Sequence, residues 1–175
     1  WRVGSTDRVL EALIPAILEQ KVTGKEAWFG WRTLVRKFGE VAPVPVGGPE
    51  RLRVFPTPEV WQQIPSWEWH QAAVDSKRAT TVLRAVRQSD GLEKLRWVDH
   101  SAAHERLRLI CGVGIWTAAE TAQRALGDAD AVSYRDYHLA QEIVYLFTGD
   151  RNGTDEQLAQ LLTPFAGHRY RIQRL

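Results

Sequence analysis

The stretch Leu107-Arg108-Leu109-Ile110-Cys111-Gly112-Val113-Gly114-Ile115-Trp116-Thr117-Ala118 decides how the rest of this chain is read. Two runs with helical spacing meet across a turn too short for anything except a Gly-X-Gly hairpin. Glycine permits a positive φ there and lets another backbone approach with no Cβ in the way. Leu107 and Ile110 stand one turn apart on the incoming helix, and Val113 is placed to plug the angle between the two helices. The amides of Gly112, Gly114 and Ile115 then face outward at the start of the next helix, where unsatisfied N–H groups and the positive end of the dipole converge. Such a corner holds a phosphate without reading base sequence. Taken alone, the same residues also fit a plain helix–turn–helix corner.

Working outward, nearly every segment reads as helix. Ser5 or Thr6 caps a first helix whose apolar positions Val9, Leu10, Leu13, Ile14, Ile17 and Leu18 repeat at helical spacing, with Pro15 predicting a kink or a late start. Thr23-Gly24-Lys25-Glu26 has capping-box spacing and opens a second helix that stops at Gly39. Residues 41–58 hold five of the eight prolines and two adjacent glycines, so they form a loop and the best internal boundary. Thr57-Pro58-Glu59, Asp75, Ser89 or Asp90, and Asp99 or Ser101 start the helices that lead to the hairpin. A helix from the hairpin to about Leu126 follows, then a loop over 128–135, a helix starting at Asp136, and two last helices capped by Thr154 and Thr163. No alternating strand pattern, repeat or low-complexity tract is present. The expected fold class is all-α.

Composition bounds the rest. The chain has 175 residues, 44% hydrophobic and 25% charged, which suits one globular domain or two small lobes sharing a cleft. No apolar run is long enough to span a bilayer, so no membrane partner is expected. The single cysteine, Cys111, excludes an intramolecular disulfide and any all-cysteine zinc or iron–sulfur site, and points to a reducing, intracellular setting (cytoplasm or nucleoid). The five histidines show no metal-ligand spacing, so no metal-binding side chains are expected. A net charge of +2 says little about nucleic acid without its distribution. The sequence opens at Trp1 and has no Met, which is expected of a processed chain or a part of something longer.

The hairpin run, followed about twenty residues later by Ala131-Val132-Ser133-Tyr134-Arg135-Asp136-Tyr137-His138, resembles the helix-hairpin-helix GPD superfamily of DNA base-excision glycosylases, and within it the 3-methyladenine DNA glycosylase II branch. Ile17-Leu18-Glu19-Gln20-Lys21-Val22-Thr23 is similar to that family's early helix end, usually closer to a Gln-x-Val-Ser pattern. The resemblance implies one glycosylase core over residues 1–175, with two helical lobes and a DNA-binding cleft between them. The middle lobe is expected at about 40–127 and the other from 1–39 and 128–175. It also implies a monomer acting on double-stranded DNA that carries a damaged base. Nothing like the β-rich N-terminal domain of the branch precedes the first helix, as expected of a compact version or of part of a larger protein.

The resemblance makes Asp136 the catalytic carboxylate. A purine N-glycosidic bond breaks through an oxocarbenium-like transition state, which a nearby carboxylate stabilises while directing a water. Aspartate is equally a good helix cap, and the two roles are compatible. Two residues after Gly114, bifunctional relatives carry a lysine that attacks the sugar; here that position is Trp116, and no lysine occurs from residue 96 onward. The expectation is a monofunctional, water-using enzyme for alkylated purines, the alternative being a non-catalytic helix-hairpin-helix DNA-binding module. Trp116 and Tyr137 are expected to flank the flipped base, and Trp116 is also readable as core. Glu120, where the family often has a second aromatic, either adds negative potential to the pocket or faces solvent. Gly112, Val113, Gly114 and Thr117 are the expected DNA-contacting hairpin residues, and Lys21 matches the side chain that fills the gap left by the flipped base. No cofactor is required, although the resemblance allows a monovalent cation held by hairpin backbone carbonyls. Trp28, Trp31, Trp61, Trp67, Trp69 and Trp97 are expected mainly in packing, with Trp67-Glu68-Trp69-His70 a candidate lip of the cleft. His168, Arg169, Arg171 and Arg174, or Lys77, Arg78, Arg84 and Arg87, follow a phosphate backbone or form solvated faces.

Overall fold

The computed structural model describes residues 2–175 except Val44, Val46, Gly47, Pro49, Glu50 and Arg51. Trp1 and those parts of the proline-rich loop therefore lie outside the described residues. The remainder is helical: α1 Val9–Leu18, α2 Gly24–Phe38, α3 Pro58–Gln63, α4 Ser66–Gln71, α5 Ser76–Val86, α6 Ser89–Glu93, α7 His100–Arg108, α8 Ile115–Ala125, α9 Leu139–Thr148, α10 Asp155–Leu162 and α11 Arg169–Gln173. Among the described residues the only extended pairing is an isolated antiparallel bridge between Val41 and Arg53.

The helix starts follow their sequence signals closely. Thr23 and Glu26 form the reciprocal capping box of α2, and Thr154 with Gln157 forms another at α10. Thr57 caps α3 with Pro58 at the first helical position, and Asp75 and Asp99 cap α5 and α7. The start of α1 departs from expectation. Ser5 and Thr6 do not cap it; the Glu93 carboxylate, brought from α6, accepts the N–H groups of Val9 at 3.1 Å and Leu10 at 2.9 Å. Ser5 instead donates its hydroxyl to the carbonyl of Ala125. Thr163 likewise does not cap the last helix: it opens a short 3-10 turn, and α11 begins after His168.

Every residue of α1 except Glu11 and Pro15 is buried, as befits a helix apolar on all sides. It packs against α2, α5, α6 and α8 at the centre of one core that also takes Leu34, Trp61, Trp69, Val82, Val86, Leu95, Leu107, Ile110 and Val113. A second, smaller core is built by Val132, Ile143, Val144, Leu158 and Leu162, and Ala119, Ala122 and Ala131 pack where α8 meets the chain leading into it. Helix α1 and Leu34 of α2 thus pack into the same core as the middle of the chain, because α1 is buried along nearly its whole length and needs helices on all sides.

The tryptophans also sort unevenly. Trp61 and Trp69 are buried, with Trp31 stacked on Trp61 and Phe55 tilted against it. Trp28, Trp67 and Trp97 are exposed, so packing accounts for only half of the six tryptophans for which it was mainly expected.

Candidate active site

The hairpin forms as its glycines require, but the two glycines do different things. Gly112 has φ +101°, and a Cβ there would overlap Thr81 Oγ1, so both conformation and space demand glycine. Gly114 has φ −93° and open space where a Cβ would stand. As the N-cap residue of α8 it offers no side-chain acceptor, which leaves the first-turn N–H groups aimed outward. Val113 is buried between the helices as the spacing predicts, so only its backbone faces a ligand.

The turn after α1 is fastened to this hairpin. The Gln20 side-chain amide donates to the Gly112 carbonyl at 2.9 Å and to Thr117 Oγ1 at 2.8 Å. Lys21 follows, exposed and with φ +56°, a left-handed conformation that lysine seldom adopts. Thr117 is 2% exposed and its hydroxyl is engaged by Gln20. The Thr117 side chain thus locks the Lys21 turn onto the hairpin, and only its backbone N–H, in the first turn of α8, is left to face outward.

Asp136 and Trp116 are brought together. The indole Nε1–H of Trp116 donates to Asp136 Oδ2 at 3.0 Å, across twenty residues of chain. The other oxygen, Oδ1, accepts the backbone N–H of His138 at 2.9 Å and of Leu139 at 3.1 Å. Asp136 is thus an Asx-type cap at the entry to α9, and three donors fix its carboxylate in one orientation. Trp116 is half-buried, between the core and pocket readings. Tyr137 is not part of this pairing. With Asp136 turned inward, the next side chain points out, 85% exposed and edge-on to His138.

Behind the pair lies a polar knot that sequence reasoning missed. Ser133 is buried; its hydroxyl donates to Glu120 Oε1 and accepts the amides of Gln123 at 2.9 Å and Gln173 at 3.0 Å. The Ser133 backbone N–H donates to Gln173 Oε1 at 3.1 Å, and its carbonyl accepts the N–H of Asp136 at 3.2 Å. Glu120 is therefore neither solvent-facing nor an unpaired pocket charge, as its carboxylate is held by Ser133 and Arg124. Burial pulls the Arg124 guanidinium down, yet Glu120 and then Glu19 outweigh it and hold its pKa above the ordinary value. Glu19, at the end of α1, is pushed up by burial against the pull of Arg124, and the negative charge of Glu120 adds to the rise.

Two of the histidines share one buried partner. His100 and His104 are one turn apart on α7 and converge on the buried Asp128, Nδ1 of His100 at 3.3 Å and Nε2 of His104 at 3.0 Å. They line a groove of about 500 Å³ with Arg108, Ile115 and Tyr134. Burial raises Asp128, but hydrogen bonds from His104 and the Asp130 N–H and the charges of both histidines leave its pKa below the ordinary value. Among the described residues no group of three or more His, Cys, Asp or Glu side chains is arranged to hold a metal ion. Of the hairpin carbonyls, Gly112 accepts Gln20 and Cys111 accepts Arg84 at 3.3 Å, so a cation there would compete with an amide and a guanidinium. The basic clusters split similarly. Arg78 is buried on Asp75, the Leu18 carbonyl and the Ala73 carbonyl, and Arg169 pairs with Asp130.

No protein-family model matches the sequence, and no curated protein sequence matches it. Solved structures do. A 3-methyladenine DNA-glycosylase from Archaeoglobus fulgidus superposes with a TM-score of 0.83 at 21% identity, over 97% of this chain and 57% of its own. An 8-oxoguanine glycosylase/lyase from Clostridium acetobutylicum, bound to duplex DNA with cytosine opposite 8-oxoG, gives 0.80 at 15% identity over 99% and 59%. A 3-methyladenine DNA glycosylase from Schizosaccharomyces pombe, bound to abasic DNA, gives 0.76 at 17% over 99% and 83%. The chain thus spans little more than half the length of the archaeal and clostridial proteins it resembles. An all-helical chain built on a Gly-Val-Gly hairpin, with an aspartate one loop later reaching back to the hairpin helix, has the fold of the helix-hairpin-helix GPD DNA glycosylases.

Proposed function

We propose that this chain is the helical core of a monofunctional DNA glycosylase that hydrolyses the N-glycosidic bond of alkylated purines in duplex DNA. The observation that carries the reading is the hydrogen bond from Trp116 Nε1 to Asp136 Oδ2, which joins a flat indole to an oriented carboxylate beside the hairpin. The outward N–H groups at the start of α8 anchor a phosphate, and the fixed Lys21 turn presents a long cationic side chain beside that anchor. An extruded purine stacks near Trp116.

As the C1′–N bond breaks, its electron pair leaves with the base, and positive charge grows on the sugar. The Asp136 carboxylate stabilises that charge and orients a water, whose oxygen bonds to C1′ as one of its protons passes to the carboxylate and on to solvent. An alkylated purine that is already cationic departs as a neutral base, so it needs no acid to protonate it. Trp116 stands where a lysine nucleophile would be needed for lyase chemistry, which favours water as the attacking group. Selection for cationic bases rests on the indole face and on Asp136. Glu120 is neutralised by Arg124 and adds little field of its own.

Single-turnover base release from methylated duplex DNA tests the reading. Free 3-methyladenine or 7-methylguanine is expected from the parent chain, and a chain that only bound DNA would release none. Equal rates on neutral lesions such as hypoxanthine would refute the electrostatic selection.

A further inference from the structure

The strip of α2 that begins one turn after the Lys21 corner carries Trp28, Arg32 and Arg36 at successive i, i+4 positions, so all three project from one face. A second wall is supplied by Leu52 and Arg53. It is held there by the Val41–Arg53 bridge, by the Ala42 N–H on the Leu52 carbonyl at 3.0 Å, and by the Val54 N–H on the Glu40 carbonyl at 2.9 Å. Gly39 makes the approach possible, since a Cβ there would overlap the carbonyl oxygens of Val54 and Val35. Between the walls runs a groove of about 190 Å³ lined by Trp28, Trp31, Arg32, Val35, Arg36, Leu52 and Arg53.

Three guanidinium groups therefore crowd one groove, and among the described residues none of them is paired with a carboxylate. Among the described residues, what lies over one of them is the Trp28 ring, with the Arg32 guanidinium 4.1 Å from its centroid. Trp28 is nonetheless 59% exposed, so the arginine covers one indole face and the other is open. Trp31 stacks on Trp61 and roots the floor of the groove in the core. Adjacent fixed cations select phosphate oxygens, and a free indole face selects a flat ring that is not already stacked in a duplex.

We propose that this groove is a binding site for single-stranded nucleic acid, separate from the hairpin and from Asp136, with phosphodiesters on Arg32, Arg36 and Arg53 and an unpaired base on Trp28. Duplex DNA offers the phosphates but not the unpaired base, and an acidic peptide offers negative charge without the ring. Both are therefore poorer occupants.

The test uses the intact chain and an end-labelled oligothymidylate of about eight nucleotides, within the span one such groove covers. The parent is expected to bind it with quenching of tryptophan fluorescence. Trp28→Ala should weaken binding by about 10-fold or more, as loss of one stacked base does. The triple variant Arg32→Gln/Arg36→Gln/Arg53→Gln should weaken it further and flatten the salt dependence by about 0.7 in log–log slope for each phosphate no longer neutralised. Base release from methylated duplex, measured in parallel, should be unchanged in both variants, since neither alters the hairpin or Asp136. Three results overturn the proposal: no binding of the oligonucleotide by the parent, full affinity in the triple variant, or unchanged affinity in Trp28→Ala, which marks a bare polyanion patch. Equal competition by an unlabelled blunt duplex or a polyglutamate peptide does the same. If the parent releases no base yet binds the oligonucleotide through these residues, the glycosylase reading fails and this site stands.

Discussion

Replacing Asp136 by asparagine separates the two things its carboxylate does. Three donors aim at it, two backbone N–H groups at Oδ1 and the Trp116 indole at Oδ2. Asparagine keeps one acceptor oxygen and has an NH₂ in place of the other. The oxygen stays on the pair of backbone donors, since losing both costs more than losing one. The NH₂ is then turned on the Trp116 N–H, donor against donor. An unsatisfied, partly buried donor costs about 1–3 kcal/mol, with the lower end expected because Trp116 is only half-buried. At about 2–4 °C per kcal/mol for a chain of this size, Asp136→Asn should lower the melting temperature by a few degrees.

Catalysis should fall much further, by about 100-fold or more, because the charge that stabilises the oxocarbenium-like state is gone. The double variant Asp136→Asn/Trp116→Phe removes the clashing donor while keeping a ring. It should recover most of the lost stability in chemical denaturation, at an unchanged m-value, and none of the lost base release. Recovery of base release along with stability would refute the reasoning, for Asp136 would then matter only as an anchor for the indole. A parent-like rate in the single variant would refute it more directly.

Other outcomes follow from the same geometry. Borohydride should trap no covalent protein–DNA adduct, since no amine stands at position 116, and a trapped species on damaged duplex would overturn the water-using assignment. Gly112→Ala should destabilise the fold by about 2 kcal/mol or more in denaturant titration, because its φ is positive and Thr81 occupies the space, whereas Gly114→Ala should fold normally and weaken duplex binding alone. Gln20→Leu should leave the Gly112 carbonyl and Thr117 hydroxyl without their donor, weakening duplex affinity through a looser Lys21 turn with little change in the single-turnover rate at saturating enzyme. Asp128 has a folded pKa below its unfolded one, so its stabilisation is present above the ordinary carboxylate value and disappears as pH falls through the depressed folded value. Asp128→Asn should therefore lower the melting temperature at neutral pH, with the gap to the parent closing in acid below about pH 4.

What the sequence makes legible is local in character. Capping boxes at Thr23 and Thr154, the proline start at Pro58 and the glycine hairpin all act through neighbours a few residues away, so a one-dimensional pattern contains the whole cause. The exceptions are long-range substitutions of one partner for another. Glu93 caps α1 from more than eighty residues away, which no local motif announces, and Ser5 is diverted to a carbonyl on α8. The packing of α1 across the proline-rich loop has the same origin. A proline-rich loop signals a break in secondary structure, but only the burial of both faces of α1 decides which side of that loop it joins.

The site shows the same limit at closer range. Spacing from the hairpin marks Asp136 and Trp116, yet spacing alone leaves Trp116 either core or pocket and Asp136 either cap or catalyst. The structure shows Asp136 capping the entry to α9 and the half-buried Trp116 bonded to it, an arrangement compatible with the proposed catalytic role. The carboxylate can point at the hairpin helix only if the chain before it is pinned, and Ser133 pins it through Glu120, Gln123 and Gln173. In sequence these are ordinary polar residues on three separate segments, with no motif to join them. Glu120 is the instructive case, since it stands one helical turn after Trp116 and bonds the Ser133 that precedes Asp136. The charge expected of it in the pocket is held instead by Arg124, one further turn along the same stripe. The stripe of Trp116, Glu120 and Arg124 on α8 therefore runs from the residue bonded to Asp136 to two that hold in place the chain before it.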